Sequence, residues 1–219
     1  MVAVKICGLS TSETLEAALT HGADLVGFVF YPKSPRNVLL RQAKSLTERI
    51  EGRARSVALI VDADDRLIGE IADLVKPDLF QAHGNETPER VAKIKSLTGV
   101  PVVKAIKVAT AADVAHAIAF QDAAAMILFD AKAPESLAGA LPGGNGLSFD
   151  WSLLGGKADG SPKICPWMLS GGLNPENVAE AIRLTGAQFV DVSSGVESAP
   201  GVKDVSRIRK FIEAAKAAG

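Results

Sequence analysis

Two residues stand where chemistry is easiest to place. Cys7 ends the extended run Val2–Cys7 and is followed at once by Gly8, whose backbone turns freely. Asp130 ends a second run, Ala125–Asp130, that is otherwise apolar. A thiolate can serve as nucleophile or general base. A carboxyl desolvated among apolar neighbours favours its neutral form, which suits a general acid. The structural alternatives are a small buried hydrophobe for Cys7 and a loop cap for Asp130. Lys5 lies two residues before Cys7, so both side chains point to one side of the strand. If that side is interior, the ammonium needs a carboxylate, Asp191 or another inward acid, and its charge lowers the thiol pKa. Equally, Lys5 belongs to an ion pair that tunes nothing.

The elements that must position these groups follow from hydrophobic periodicity. Short β-branched runs at Val2–Cys7, Leu25–Phe30, Ser56–Val61, Leu79–His83, Val102–Ile106, Ala125–Asp130, Trp167–Ser170 and Phe189–Ser193 read as strands. Helical patterns at Ser12–His21, Leu40–Arg49, Asp65–Val75, Pro88–Leu97, Ala111–Ala119, Pro175–Leu184 and Val205–Ala218 alternate with them. Thr87-Pro88 and Asn174-Pro175 are helix starts, a capping side chain followed by proline. The Gly- and Pro-rich segment 131–166 has room only for a short helical stretch near Asp150–Leu154.

Such alternation predicts parallel strands joined by crossover helices. Eight strands predict a single (β/α)8 barrel of α/β class, one catalytic domain over residues 1–219. A doubly wound open sheet is the alternative, but Cys7-Gly8-Leu9-Ser10 lacks the G-x-G-x-x-G turn.

In a barrel, chemistry gathers at the carboxyl ends of the strands. That rule separates the two cysteines. Cys7 is at such an end, whereas Cys165 precedes Pro166 at the amino end of the seventh strand, on the stability face. His83 ends the fourth strand, so Lys5 and His83 are candidates for lining a pocket; a hydrogen-bonded structural imidazole is an equal reading of His83. Ser170-Gly171-Gly172 and Ser193-Ser194-Gly195 follow the seventh and eighth strands, with room for a short extra helix. Backbone amides of these two loops then form the phosphate site usual for this fold, with plain turn chemistry as the alternative. Arg36, in the loop Tyr31–Asn37, can grip a carboxylate bidentately or be a solvated loop charge.

Bulk composition excludes several classes. With 24 Lys plus Arg against 25 Asp plus Glu, the net charge of −1 argues against nucleic-acid binding. No apolar run approaches the ~18 residues of a membrane span. The three histidines share no metal-ligand spacing, and no Cys-x-x-Cys occurs, so no metal is expected. Gly143-Gly144-Asn145-Gly146 lacks the Lys-Ser/Thr of a P-loop. A soluble, cytoplasmic protein is expected, without a leader.

VKICG (4–8), GADLVGFVFYPKSPR (22–36), QAHG (81–84), LFDA (128–131), GGNG with FDW (143–151), LSGGLNPENV (169–178) and DVSSGVESAPGVKD (191–204) together resemble the phosphoribosylanthranilate isomerase family. The resemblance covers essentially the whole chain. It implies a cofactor-free Amadori rearrangement in tryptophan biosynthesis, with a small phosphosugar as the partner. It implies Cys7 as general base, Asp130 as general acid, Arg36 on the anthranilate carboxylate, and the two glycine loops on the phosphate. Departures from the family pattern stand at Ala82 (commonly Leu), Ala131 (often Ser) and Asn145 (Thr or Ser). A monomer is the expected state, with a dimer as the alternative. The competing functions are a related phosphosugar enzyme and a non-catalytic phosphosugar-binding barrel.

Overall fold

The computed structural model describes residues 1–133, 143–144, 146–155 and 166–219. Strands and helices alternate as the periodicity predicts: β1 (Ala3–Cys7), α1 (Ser12–Thr20), β2 (Leu25–Phe30), α2 (Leu40–Glu48), β3 (Arg55–Ile60), α3 (Asp65–Leu74), β4 (Leu79–Ala82), α4 (Pro88–Thr98), β5 (Val102–Val108) and α5 (Ala111–His116). Next come β6 (Met126–Ala131), β7 (Trp167–Leu169), α6 (Val178–Thr185), β8 (Phe189–Val192), the short strands β9 (Glu197–Ala199) and β10 (Val202–Lys203), and α7 (Val205–Ala217). Strands β1 to β8 close in sequence order, and β8 pairs back onto β1 in parallel, with Lys5 opposite Asp191. The expected (β/α)8 barrel is therefore the architecture.

Closure gives each strand an inner and an outer face. Val4, Ile6, Phe28, Phe80, Phe129 and Val190 belong to the apolar layer shared with the helices. Leu25, Val57, Leu79, Val103, Leu128 and Met168 fill the barrel floor. Two residues further along their strands, Gln81, Asp130, Ser170 and Asp191 take the same inner side. The barrel thus changes from apolar to polar toward its carboxyl-terminal mouth. Phe80 is fully buried in the outer layer, so Phe80→Ala is expected to cost about 3–5 kcal/mol in urea or thermal unfolding.

Several boundaries differ from expectation. Thr87 caps α4 as predicted, accepting from the Arg90 amide at 3.3 Å. Asn174 does not start a helix. Its Oδ1 accepts from the Glu176 and Asn177 amides in a separate turn, and α6 begins only at Val178. Asn177 is held away from capping geometry because its side chain braces the loop, donating to Gly172 O (2.9 Å) and accepting from Asn174 N (2.8 Å). The predicted Ala111–Ala119 helix ends at His116 and tightens into a 3-10 turn, Ala117–Phe120, with the Phe120 ring under the Lys104 ammonium. Near Asp150 the helical stretch is a 3-10 turn, Trp151–Leu154, whose first amides Asp150 caps. The β9–β10 hairpin carries no signal in the apolar pattern. Cys165 and Asn145 lie outside the described residues. Among those residues, no helix is long and apolar enough to cross a membrane.

Candidate active site

The strand ends and their loops enclose one cleft of about 760 Å³, counted out to open solvent. Cys7, Arg36, Gln81, His83, Asp130, Ser170 and Asp191 line it, with Gly171, Gly172 and Ser194 on the opposite rim. Of the residues predicted from sequence, Cys7, Asp130, Arg36 and His83 meet there. Lys5 does not line the cleft. It sits one layer deeper, its Nζ 2.7 Å from Asp191 Oδ1, while Ser170 Oγ donates to Asp191 Oδ2 at 2.9 Å.

That ion pair alters the expected electrostatics of Cys7. Burial alone would push the Lys5 ammonium down, but the Asp191 carboxylate holds it above its ordinary value. The cation is therefore charged at neutral pH and already paired. Burial pushes the Cys7 thiol up, and Lys5 offsets this only in part because Asp191 opposes it. The sequence expectation of a lowered thiol pKa is thus reversed in the unliganded protein. The cause is the apolar pocket of Val29 and Leu59 around a thiol that is 3% exposed.

Asp130 is also buried, but it has partners. Its Oδ1 accepts from the Ala131 amide at 2.9 Å, and its Oδ2 lies 3.1 Å from His83 Nε2. His83 Nδ1 lies 2.8 Å from Gln81 Nε2, while Gln81 Oε1 is buried without a partner. With this amide orientation, Nε2–H donates to an ionised Asp130. Turned over, the Gln81 oxygen would accept from Nδ1–H, and Nε2 would accept a hydrogen bond from the O–H of a neutral Asp130. The Gln81–His83 pair can hold the acid in either protonation state. A side chain at Gly143 would place its Cβ 2.5 Å from His83 Nε2 and 2.8 Å from Asp130 Oδ2, so only glycine fits over this pair.

Arg36 is not a solvated loop charge; it is 5% exposed. Its Nε and Nη2 donate to the two oxygens of Glu197 at 2.7 and 2.9 Å, and Nη2 also donates to Gly144 O at 3.1 Å. Of the five guanidinium N–H groups, only the two on Nη1 donate to nothing among the described residues. Gly8 (φ +80°) and Gly144 (φ +73°) make room for this side chain: a Cβ would come within 2.8 Å of Arg36 Cδ or 2.6 Å of Nη1.

On the far rim, Gly171 and Gly172 adopt φ of +84° and +67°. Their amides donate to no acceptor among the described residues. Ser194 and Gly195 open a 3-10 turn, so their amides have no partner within it. Gly195 packs directly on the Leu173 backbone, which brings the two loops together.

A thiol, a histidine-buttressed carboxyl, a guanidinium edge and two amide-rich loops surround one barrel mouth, an arrangement able to move protons and to meet anions. Residues 4–214 match the family model described as N-(5'phosphoribosyl)anthranilate (PRA) isomerase. The chain belongs to the phosphoribosylanthranilate isomerase family. N-(5'-phosphoribosyl)anthranilate isomerase of Rhodopseudomonas palustris (strain BisB5) is 56% identical over 216 residues, covering 99% of this chain and 96% of the relative. A phosphoribosylanthranilate isomerase crystallised with reduced 1-(o-carboxyphenylamino)-1-deoxyribulose 5-phosphate is 36% identical (TM-score 0.84, 99% of this chain and 100% of that one). Monomers generated from the dimeric Thermotoga maritima isomerase give 37% identity and TM-score 0.83 over 99% and 100% of the two chains.

Two departures from the family pattern leave the Asp130 bonds in place. Ala82 is fully buried in the outer layer and does not line the cleft. The Asp130 bond to residue 131 uses the backbone amide, which Ala supplies as well as Ser. Sequence reasoning missed Gln81, Glu197 and Lys203, and placed Ser170 only at its strand end. The inner-face position of Gln81 could have been read two residues before His83, and that of Ser170 two after Met168. For Glu197 and Lys203 no local signal exists.

Proposed function

We propose that this chain isomerises N-(5'-phosphoribosyl)anthranilate to 1-(o-carboxyphenylamino)-1-deoxyribulose 5-phosphate, a step of tryptophan biosynthesis. The observation that carries this reading is Cys7 and Asp130 on one cleft whose rims offer Arg36 and two glycine-rich amide loops. Asp130 protonates the furanose ring oxygen, which opens the ring to a protonated Schiff base. The Cys7 thiolate takes the C2′ proton, and the resulting enolamine tautomerises to the ketone. Only protons move, so the rearrangement calls for no cofactor or metal. Arg36 Nη1 takes the anthranilate carboxylate. The amides of Gly171, Gly172, Ser194 and Gly195 take the phosphate. His83 holds Asp130, and Lys5 fixes Asp191 beneath Cys7.

The decisive assay follows the fluorescence of phosphoribosylanthranilate as purified protein consumes it. Turnover supports the reading; binding without turnover supports a non-catalytic barrel instead.

The raised thiol pKa sets the pH dependence. A base must be deprotonated to act, and burial favours the protonated thiol in the free protein. On the limb that reports Cys7, kcat/KM is therefore expected to rise about tenfold per pH unit from neutrality toward pH 9. A flat profile from pH 7 to 9 would remove the buried thiol from the base role.

We read residues 1–219 as one catalytic domain, since the last helix, α7, packs on β1 and α1 and completes the outer ring. Every group named above comes from one chain, so a monomer suffices for the chemistry; the T. maritima relative is dimeric. Sedimentation velocity distinguishes the two states for this chain. A base that must stay a free thiol fits a reducing compartment, hence the cytoplasm.

A further inference from the structure

The hairpin after β8 contributes two buried charges that the reaction above does not use. Glu197 and Lys203 are register partners in β9 and β10, 7% and 8% exposed. Glu197 Oε1 accepts from Arg36 Nε (2.7 Å) and Lys203 Nζ (2.6 Å). Its Oε2 accepts from Arg36 Nη2 (2.9 Å) and the Gly201 amide (3.2 Å). Both carboxylate oxygens are thus doubly occupied, which leaves Glu197 no capacity to meet a ligand itself. Burial alone would push its carboxyl up, but Arg36 and Lys203 hold it below its ordinary value, so it is ionised.

Lys203 reaches further. Its Nζ also donates to Ser193 O at 2.9 Å and lies 3.2 Å from Ser193 Oγ, at the start of the loop assigned to phosphate. The hairpin is pressed against the loop that carries Arg36: a Cβ on Gly201 would meet Pro35 O at 2.6 Å. Burial pushes the Lys203 ammonium below its ordinary value against the pull of Glu197. Lys203 does not line the cleft, whereas Arg36 does, and its Nη1 edge donates to nothing among the described residues. An anionic group arriving in the cleft would meet that edge.

We propose that Glu197 is a positioning residue for recognition of the substrate carboxylate. It locks the Arg36 guanidinium so that Nη1 faces the cleft, and Lys203 holds Glu197 in place and ties it to the phosphate loop at Ser193. This rests on the isomerase reading, and it adds the residue pair that makes the site specific for a carboxylate-bearing aglycone.

The test uses two stable ligands made by reductive amination of ribose 5-phosphate, one with anthranilate and one with aniline. They differ only in the carboxylate. Glu197→Gln keeps the side-chain volume but sets an NH2 against the Arg36 or Gly201 donors. By calorimetry, it is expected to weaken the anthranilate ligand roughly 10- to 100-fold and the aniline ligand less than about threefold. The KM for phosphoribosylanthranilate should rise in parallel, with kcat within about threefold of wild type. Lys203→Met should show the same selectivity with a smaller loss, and it carries the comparison alone if Glu197→Gln does not fold. Equal losses for both ligands, or no loss, would overturn the proposal. So would wild-type protein that binds both ligands alike. Absence of wild-type turnover would instead overturn the isomerase reading.

Discussion

Cys7→Ala is expected to lower kcat for phosphoribosylanthranilate by about 10²- to 10⁴-fold, the span of a lost general base. The KM should hardly change, because the thiol touches neither the Arg36 edge nor the glycine amides proposed to bind the substrate's two anions. The variant removes one sulfur from a small cluster with Val29 and Leu59 and leaves the Lys5–Asp191–Ser170 bonds intact. It should therefore fold, as circular dichroism would check. Cys7→Ser should retain part of the activity, since proton abstraction requires no covalent bond to sulfur. Steady-state fluorescence assays of both variants settle the point. Near-normal turnover in Cys7→Ala would transfer the base to Asp191, the other carboxylate on the cleft wall besides Asp130 among the described residues.

Asp130→Asn should cost a comparable ~10²- to 10⁴-fold in kcat. An asparagine oxygen can still accept from the Ala131 amide, and its NH2 can still meet His83 Nε2 as a donor, with the imidazole in its other tautomer. The variant can therefore keep its shape and its ligand affinity while it has no acidic proton to give. Calorimetry with the anthranilate ligand described above should show binding close to wild type. Turnover in Asp130→Asn within tenfold of wild type would show that ring opening does not depend on this carboxyl.

The local elements were legible because each is written within a few neighbouring residues. The step of two along a strand places Lys5 with Cys7, and Leu128 with Asp130, on one face before any fold is known. Proline after a capping residue marks α4 correctly at Thr87-Pro88. The same signal fails at Asn174-Pro175, where Asn177 is drawn into bracing the Gly172 loop. The capping preference yields there to another short-range bond, which braces the loop that carries Gly171 and Gly172.

The sequence by itself determined the alternation that closes the barrel, the strand-end position of Cys7 and Asp130, and the two glycine loops that follow β7 and β8. It also carried the family, because long motifs around those positions persist together. The tertiary structure alone decided the partners. His83 meets Asp130 across 47 residues, and Arg36 meets Glu197 across 161. It also decided the state of the thiol, since closure buries Cys7 while Asp191 draws on the nearby charge of Lys5. Periodicity and turn chemistry act over a few bonds, whereas ion pairing and desolvation depend on which distant strands and loops the closed barrel brings together.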